Sequence, residues 1–292
     1  TYHRTLATES NALWESTPLN EAQSRIVDEY VASKRFGGRD YISYHVNAVS
    51  DRETMVRELA LDPALPVVSL FTNVLWDAQL YYQYNAFPSM LNWLWETIRW
   101  FEKRSDLQLV IRIHPAEAKG ALPTAQPLLA EIQREFPKLA ENVKVIPAES
   151  DLSSYTLAEM SCASLIYGAR MGMEIALAGT PLIVAGETFN RGKGYSYDVE
   201  TPREYFELLA RLPHIPRNSP EMMERARRFA YHMYFRRMID FPFMSVKNGQ
   251  HMTGLRLRLR RVSDLAPGKS GALDALCRGI LDGTPFVYDP YA

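Results

Sequence analysis

Short apolar runs, each closed by a polar or glycine-containing turn, recur from Pro66 onward at the spacing of strands separated by helices. Val67-Val68-Ser69-Leu70-Phe71 is the first, and residues 107–113, 143–146, 164–167 and 181–185 repeat its buried-strand character. Between them, 91–103, 126–136, 155–160 and 171–178 carry helical patterns. This alternation predicts an α/β fold over 63–215, built on a doubly wound, mainly parallel sheet. Residues 1–62 read as a helical segment or linker. In it, 20–34 places Ile26, Val27, Tyr30 and Val31 on one stripe that Phe36-Gly37-Gly38 stops, and 51–61 forms a second short helix. Residues 216–292 read as a helical C-terminal extension with a long helix over 221–239. Leucine and arginine alternate over 255–261, which suits an edge strand or an amphipathic surface piece.

Ligands of a doubly wound sheet bind beyond the carboxyl ends of its strands. That edge collects Asn73, His114, residues 149–154, 168–172 and 187–194, and these are mostly polar residues and glycines. Composition narrows the partner. At 292 residues and 47% hydrophobic the chain can bury a large core, and a formal net charge of −1 gives no whole-molecule field for nucleic acid. Cys162 and Cys277 lack zinc or disulfide spacing, so they read as packing residues in a reducing compartment. With neither an apolar run of spanning length nor a signal-peptide pattern, the expected location is cytoplasmic. The first residue is Thr1, so a piece of a longer protein is one expectation.

Several groups at that edge can carry chemistry. Gly168-Ala169-Arg170-Met171-Gly172 links a strand to a helix, so its N–H groups suit an anion, although a simple turn and cap explains it as well. Glu174 follows in the first helical turn, where the helix dipole favours a carboxylate and where vicinal ribose hydroxyls could donate to it. His114-Pro115 ends a strand, and alternation sends Arg112 and His114 to one face, with Glu117 close by. His114 reads as a phosphate contact or acid rather than a structural cap. Ser153, Ser154 and Tyr155 form an N-cap sequence facing the same edge. Arg191-Gly192-Lys193-Gly194 offers two cations that could close over a diphosphate. Trp93 and Trp100 read as core, whereas Trp76, Asp77, Tyr81, Tyr82 and Tyr84 could line a sugar cleft. The chain has no metal-ligand spacing and no serine nucleophile elbow, so neither a metal nor a resident cofactor is expected.

Taken together, residues 111–117, Asp151-Leu152-Ser153-Ser154-Tyr155, Gly172-Met173-Glu174 with Gly179-Thr180-Pro181, and Arg191-Gly192-Lys193-Gly194 resemble bacterial capsule and surface-polysaccharide biosynthesis glycosyltransferases. The resemblance covers 67–212 and implies a GT-B architecture of two Rossmann-like domains, of which this stretch is similar to the C-terminal, donor-binding half. It makes 63–215 a nucleotide-sugar-binding domain and carries His114 and Glu174 over as phosphate and ribose ligands. The substrates it implies are a UDP-, GDP- or CMP-sugar donor and a glycan or lipid-linked glycan acceptor. Residues 255–261 could touch an anionic membrane face, which would suit a lipid-linked acceptor, although a solvated face is the favoured reading of that segment. His114 is then the group that stabilises the departing phosphate, and the general base is unassigned. Two departures stand out. Ala169-Arg170-Met171 replaces the small hydroxyl residues common in that turn, and residues 1–60 are too few and too helical to form an N-terminal Rossmann domain. A nucleotide-sugar epimerase or hydrolase of the same architecture, and a non-catalytic module binding glycan or protein, remain as alternatives.

Overall fold

The computed structural model describes residues 8–35, 48–76, 84–120, 124–246 and 255–291. Its centre is a six-stranded sheet: β1 (Val67–Phe71), β2 (Gln108–Arg112), β3 (Val143–Ile146), β4 (Ala163–Ile166), β5 (Leu182–Val184) and β6 (Tyr197–Asp198). The spatial order is β3-β2-β1-β4-β5-β6, and every neighbouring pair is parallel. The chain steps outward from β1 to β3 and then returns to lay β4 against the other side of β1. Strand order therefore reverses between β1 and β4, which is the switch point where doubly wound sheets open a crevice. The five apolar runs form five of these strands. The sixth, Tyr197–Asp198, is only two residues long and has no apolar run to announce it.

Strands β1, β2, β4 and β5 are buried throughout, which explains their continuous rather than alternating hydrophobicity. Their one polar cross-strand pair, Ser69 with Ser164, is satisfied by a 2.8 Å hydroxyl contact between β1 and β4. One face of the sheet is covered by α3 (Met90–Phe101), α5 (Leu128–Glu135) and α8 (Pro202–Leu209). Trp93, Leu94, Ile98 and Phe101 of α3 recur at helical spacing and pack there against Leu109 and Ile111. Trp93 thus belongs to the core, as its spacing predicts, and Trp100 packs against it only partly buried. Trp76 and Tyr84 are exposed, while Asp77, Tyr81 and Tyr82 lie outside the described residues, as do Phe36, Gly37 and Gly38.

The other face explains the flanking segments. Between the strands of its half it has only α6 (Ser154–Met160) and α7 (Gly172–Leu177), which are seven and six residues long. Those two helices leave apolar surface over β1, β4 and β5. It is covered by α1 (Glu21–Lys34) and α2 (Arg52–Glu58) from the N-terminal segment and by α9 (Pro220–Tyr231) from the C-terminal one. Trp14, Val27, Met55, Phe229 and Ala230 share one cluster with Val110, Ile166 and Val184. The three stretches divided at 62 and 215 on sequence therefore contribute to one core layer. Each docked helix has its own start signal. Asn20 and Gln23 form a capping box on α1, and Ser219 caps α9 with Pro220 behind it.

The long helix expected over 221–239 ends at Tyr231 and widens into a π turn, His232–Arg236. Beyond it, β7 (Met244–Val246) and β8 (Leu255–Leu257) pair antiparallel, and α10 (Gly271–Asp282) ends at Gly283 in the left-handed region, φ 70°. The alternating segment at 255–261 is thus partly an edge strand, and all three residues of β8 are exposed. A short α4 (Ala116–Lys119) follows β2. Among the described residues, no helix is long and apolar enough to cross a membrane.

Candidate functional site

At the carboxyl ends of β1 and β2 the backbone is knitted by one hydroxyl. Thr72 Oγ1 accepts the His114 N–H at 3.1 Å and donates to the Arg112 carbonyl at 3.3 Å. Across the switch point, Asn73 Oδ1 accepts the Gly168 N–H at 3.0 Å, which fixes the turn that follows β4. His114 Nδ1 accepts the Ala116 N–H at 3.1 Å, so the neutral ring carries its proton on Nε2. Proline at 115 sets the backbone for that contact by starting α4 immediately.

Arg112 is buried and holds the loop between β3 and α6. Its guanidinium donates to the carbonyls of Pro147 and of Ser150, the latter at 2.9 Å, and Nε reaches Ser154 Oγ at 3.4 Å. Burial lowers its pKa to about 10 against the upward pull of Asp151 and Glu149, so the side chain stays charged at neutral pH. This anchoring brings the first turn of α6 to the sheet edge. Ser153 caps that helix by accepting the Thr156 N–H at 3.3 Å, while Ser154 and Tyr155 face a pocket.

The pocket has a volume of about 180 Å³ and sits over the β1–β4 crevice. Phe71, Thr72, Arg112, His114 and Pro115 form its floor, with Ser154 and Tyr155 on one side. Ala169, Arg170, Met171 and Glu174 form the other side, and Lys34 reaches in from the end of α1. Glu174 is deeply buried, yet it is ionised. Burial pushes its pKa up, but the charge and hydrogen bond of Lys34, and then the Tyr234 hydroxyl, bring it below the ordinary carboxylate value. Lys34 Nζ lies 2.7 Å from Glu174 Oε1 and Tyr234 Oη also 2.7 Å from it. Oε2 of the same carboxylate is buried with no hydrogen-bond partner. Arg170 is exposed at the rim.

Seven of the residues singled out on sequence thus converge: Arg112, His114, Ser154, Tyr155, Arg170, Met171 and Glu174. Seven others have different work. Asn73 and Gly168 are bonded to each other, and Ser153 is a helix cap. Glu117 turns away from the pocket, where its Oε2 accepts the Leu128 N–H at the start of α5 at 2.9 Å and burial raises its pKa. Gly172 answers a packing demand. A Cβ there would come within 2.7 Å of Asn190 Nδ2 and 2.9 Å of Ile166 Cδ1, so the close approach is by protein rather than phosphate.

Arg191 and Lys193 do not reach the pocket, which corrects the reading of their loop as a cover over a diphosphate. Lys193 is 2% exposed, donates to Asn11 Oδ1 at 3.0 Å and lies 5.3 Å from the centre of the Phe229 ring. Arg191 donates to the Val199 carbonyl at 2.8 Å, and the Gly192 N–H goes to Asp198 Oδ2 at 2.7 Å. The loop is pinned beneath the N-terminal segment on the far side of β5. Conversely, sequence reasoning missed Lys34, Thr72 and Tyr234. Thr72 ends a strand beside Asn73 and could have been found by that position, whereas nothing local marks Lys34 or Tyr234.

The strand order and the pocket at its reversal define a Rossmann-like, doubly wound α/β protein. No family model matches the sequence, and no curated protein sequence matches it. Among solved structures the chain is similar to Thermosulfurimonas dismutans KpsC, beta Kdo 2,4 transferase, at 16% identity and TM-score 0.46, over 74% of this chain and 58% of that one. It is similar to the beta Kdo 2,7 transferase of the same KpsC at 14% identity and TM-score 0.41, over 82% and 59%. A third is the UDP-GlcNAc 2-epimerase of Neisseria meningitidis bound to UDP-GlcNAc, at 14% identity and TM-score 0.41, over 61% and 46%. The chain thus spans less than two thirds of the length of each.

Proposed function

We propose that the pocket binds the nucleotide end of an activated sugar and that the chain is the donor-binding part of a glycosyltransferase of surface-polysaccharide assembly. The observation that carries this reading is the polarity of the pocket. One wall includes Glu174, whose buried Oε2 has no hydrogen-bond partner and would be satisfied by a hydroxyl donor. The opposite floor holds the His114 Nε2 proton and the Arg112 charge, with Arg170 at the rim, which calls for phosphate. Vicinal ribose hydroxyls beside a phosphate match both ends. A volume of about 180 Å³ holds only part of such a molecule, so the remainder extends out of the mouth.

In the reaction the acceptor hydroxyl oxygen bonds to the anomeric carbon as the bond from that carbon to the donor phosphate breaks. His114 and Arg170 meet the charge that gathers on the departing phosphate. The acceptor proton leaves to a base that this pocket does not supply, because its one carboxylate is tied to Lys34 and Tyr234. The acceptor is a glycan or lipid-linked glycan, and the donor is a UDP-, GDP- or CMP-sugar.

Calorimetry with UDP-, GDP- and CMP-sugars tests the binding step. At least one is expected to bind, and His114→Ala is expected to weaken it about tenfold through loss of one charge-assisted bond. Silence towards all three would overturn the reading. Free sugar or an epimer formed without acceptor would overturn the transferase part and favour a hydrolase or epimerase on the same site.

A further inference from the structure

We propose that Lys34 is a positioning residue of this pocket: together with Tyr234 it holds one oxygen of Glu174 so that the other is presented to the ligand. The inference rests on the reading of the pocket as a nucleotide site. Lys34 comes from α1, outside the sheet domain, and lies 140 residues from Glu174 in sequence. Lys34 Nζ, Tyr234 Oη and Glu174 Oε1 form a closed triangle, with sides of 2.7, 2.8 and 2.7 Å. Two donors converging on Oε1 fix the rotation of the carboxylate, and this gives Oε2 a definite direction.

The aromatic surroundings hold the ammonium in turn. Lys34 Nζ stands 4.4 Å from the Tyr234 ring centre and 5.5 Å from that of Tyr30. The arrangement is an expensive way to pack a protein. The side chains of Lys34 and Glu174 are 6% and 2% exposed, and a buried ion pair is often no more stable than apolar residues of the same volume. A purely structural pair would also satisfy both carboxylate oxygens from the protein, whereas here Oε2 has no protein partner. Leaving it so makes sense if a ligand completes it.

Charge gives a second reason for the lysine. A bare carboxylate in this wall would repel a phosphate bound across the pocket, and Lys34 offsets that charge while bonding to Oε1 rather than Oε2. Besides Lys34 and Tyr234, the titratable or charged groups around Glu174 are Tyr155 of α6, Arg170 of the turn and Tyr195 of the loop after β5. Arg112 and His114 stand across the pocket, and Arg35, Glu159 and Arg227 line the neighbouring cleft that Glu174 also borders. Lys34 and Tyr234 bond directly to the carboxylate.

The test compares the affinities of UDP, GDP and CMP with those of their 2′,3′-dideoxy counterparts. Wild-type protein is expected to prefer the hydroxylated form of the nucleotide it binds by about tenfold or more, as for hydrogen bonds to a charged acceptor. Lys34→Met should shrink that preference to within about threefold while changing the affinity for the dideoxy form much less. Circular dichroism checks folding. If Lys34→Met does not fold, Tyr234→Phe, which keeps the ring and the ion pair, is expected to reduce the preference about threefold. An unchanged preference in the folded variants overturns the role of Lys34, as does a wild type that binds nucleotide but ignores its ribose hydroxyls. A wild type that binds none of the nucleotides overturns the pocket reading itself.

Discussion

The cations of the pocket and those of the loop at 191–194 differ in what their head groups touch. Arg170, exposed, lines the pocket over the β1–β4 crevice, and Arg112 and Lys34 form part of the same wall. Lys193, by contrast, is buried against Asn11 and Phe229, and burial pulls its pKa down against the upward pull of the Glu9, Asp198 and Glu15 charges. Arg170 and Lys193 both follow strands of the same sheet, so being near a strand end does not by itself bring a cation to the pocket. What separates them is the N-terminal segment. It delivers Lys34 into the pocket with one of its parts and closes over Lys193 with another.

The sharpest way to break this contrast is to remove Lys193. Lys193→Ala is expected to lower stability by about 2–3 kcal/mol, from the cavity and the orphaned carboxylates, in urea unfolding. Nucleotide affinity of the folded protein should be unchanged. Lost affinity at full stability would put the loop back in the site. Arg170→Ala should do the reverse. Stability should stay within about 0.5 kcal/mol, while affinity falls about tenfold and depends less on salt, as read by calorimetry at two ionic strengths.

The smallest effect concerns pH. His232, fully buried, lies 2.8 Å from Glu9 and secures the N-terminal segment together with Arg237 at 2.9 Å. Burial lowers the His232 pKa from 6.5, despite the opposing pull of Glu9. For Glu9 burial acts upward, but His232 and Arg237 outweigh it and the value falls below 4.5. Both folded-state values are depressed. Their stabilisation is therefore complete above the ordinary values and declines as pH falls through the folded ones. Melting temperature should fall as the medium is acidified below about pH 6.5, and His232→Gln should flatten the upper part of that decline. A melting temperature that rises on acidification would reverse the assignment.

Five strands were readable because both faces of this sheet are covered, which makes each strand a continuous apolar run such as Leu109-Val110-Ile111. β6 was not, since a two-residue strand against β5 needs no apolar pattern. The helix over 20–34 was readable from its stripe, yet its destination was not. Lys34 meets Tyr234 across 200 residues of chain, and no local periodicity encodes where a helix docks. Glu174 was correctly placed at a helix start beside the crevice, while the partners of its carboxylate depend on that docking. Lys193 misled for the opposite reason. Flanking glycines look like slack, but Gly192 and Gly194, at φ 67° and 78°, shape a bend that is pinned in place.

The π turn at His232–Arg236 places two bonded side chains two positions apart, with His232 on Glu9 and Tyr234 on Glu174. Each residue added to or removed from a helix swings everything after it by about 100° round the axis. A substitution within α9 changes the contacts of one side chain at a time. A single insertion or deletion there would swing His232 and Tyr234 away from both acids at once. The length of this stretch is therefore under tighter constraint than its composition.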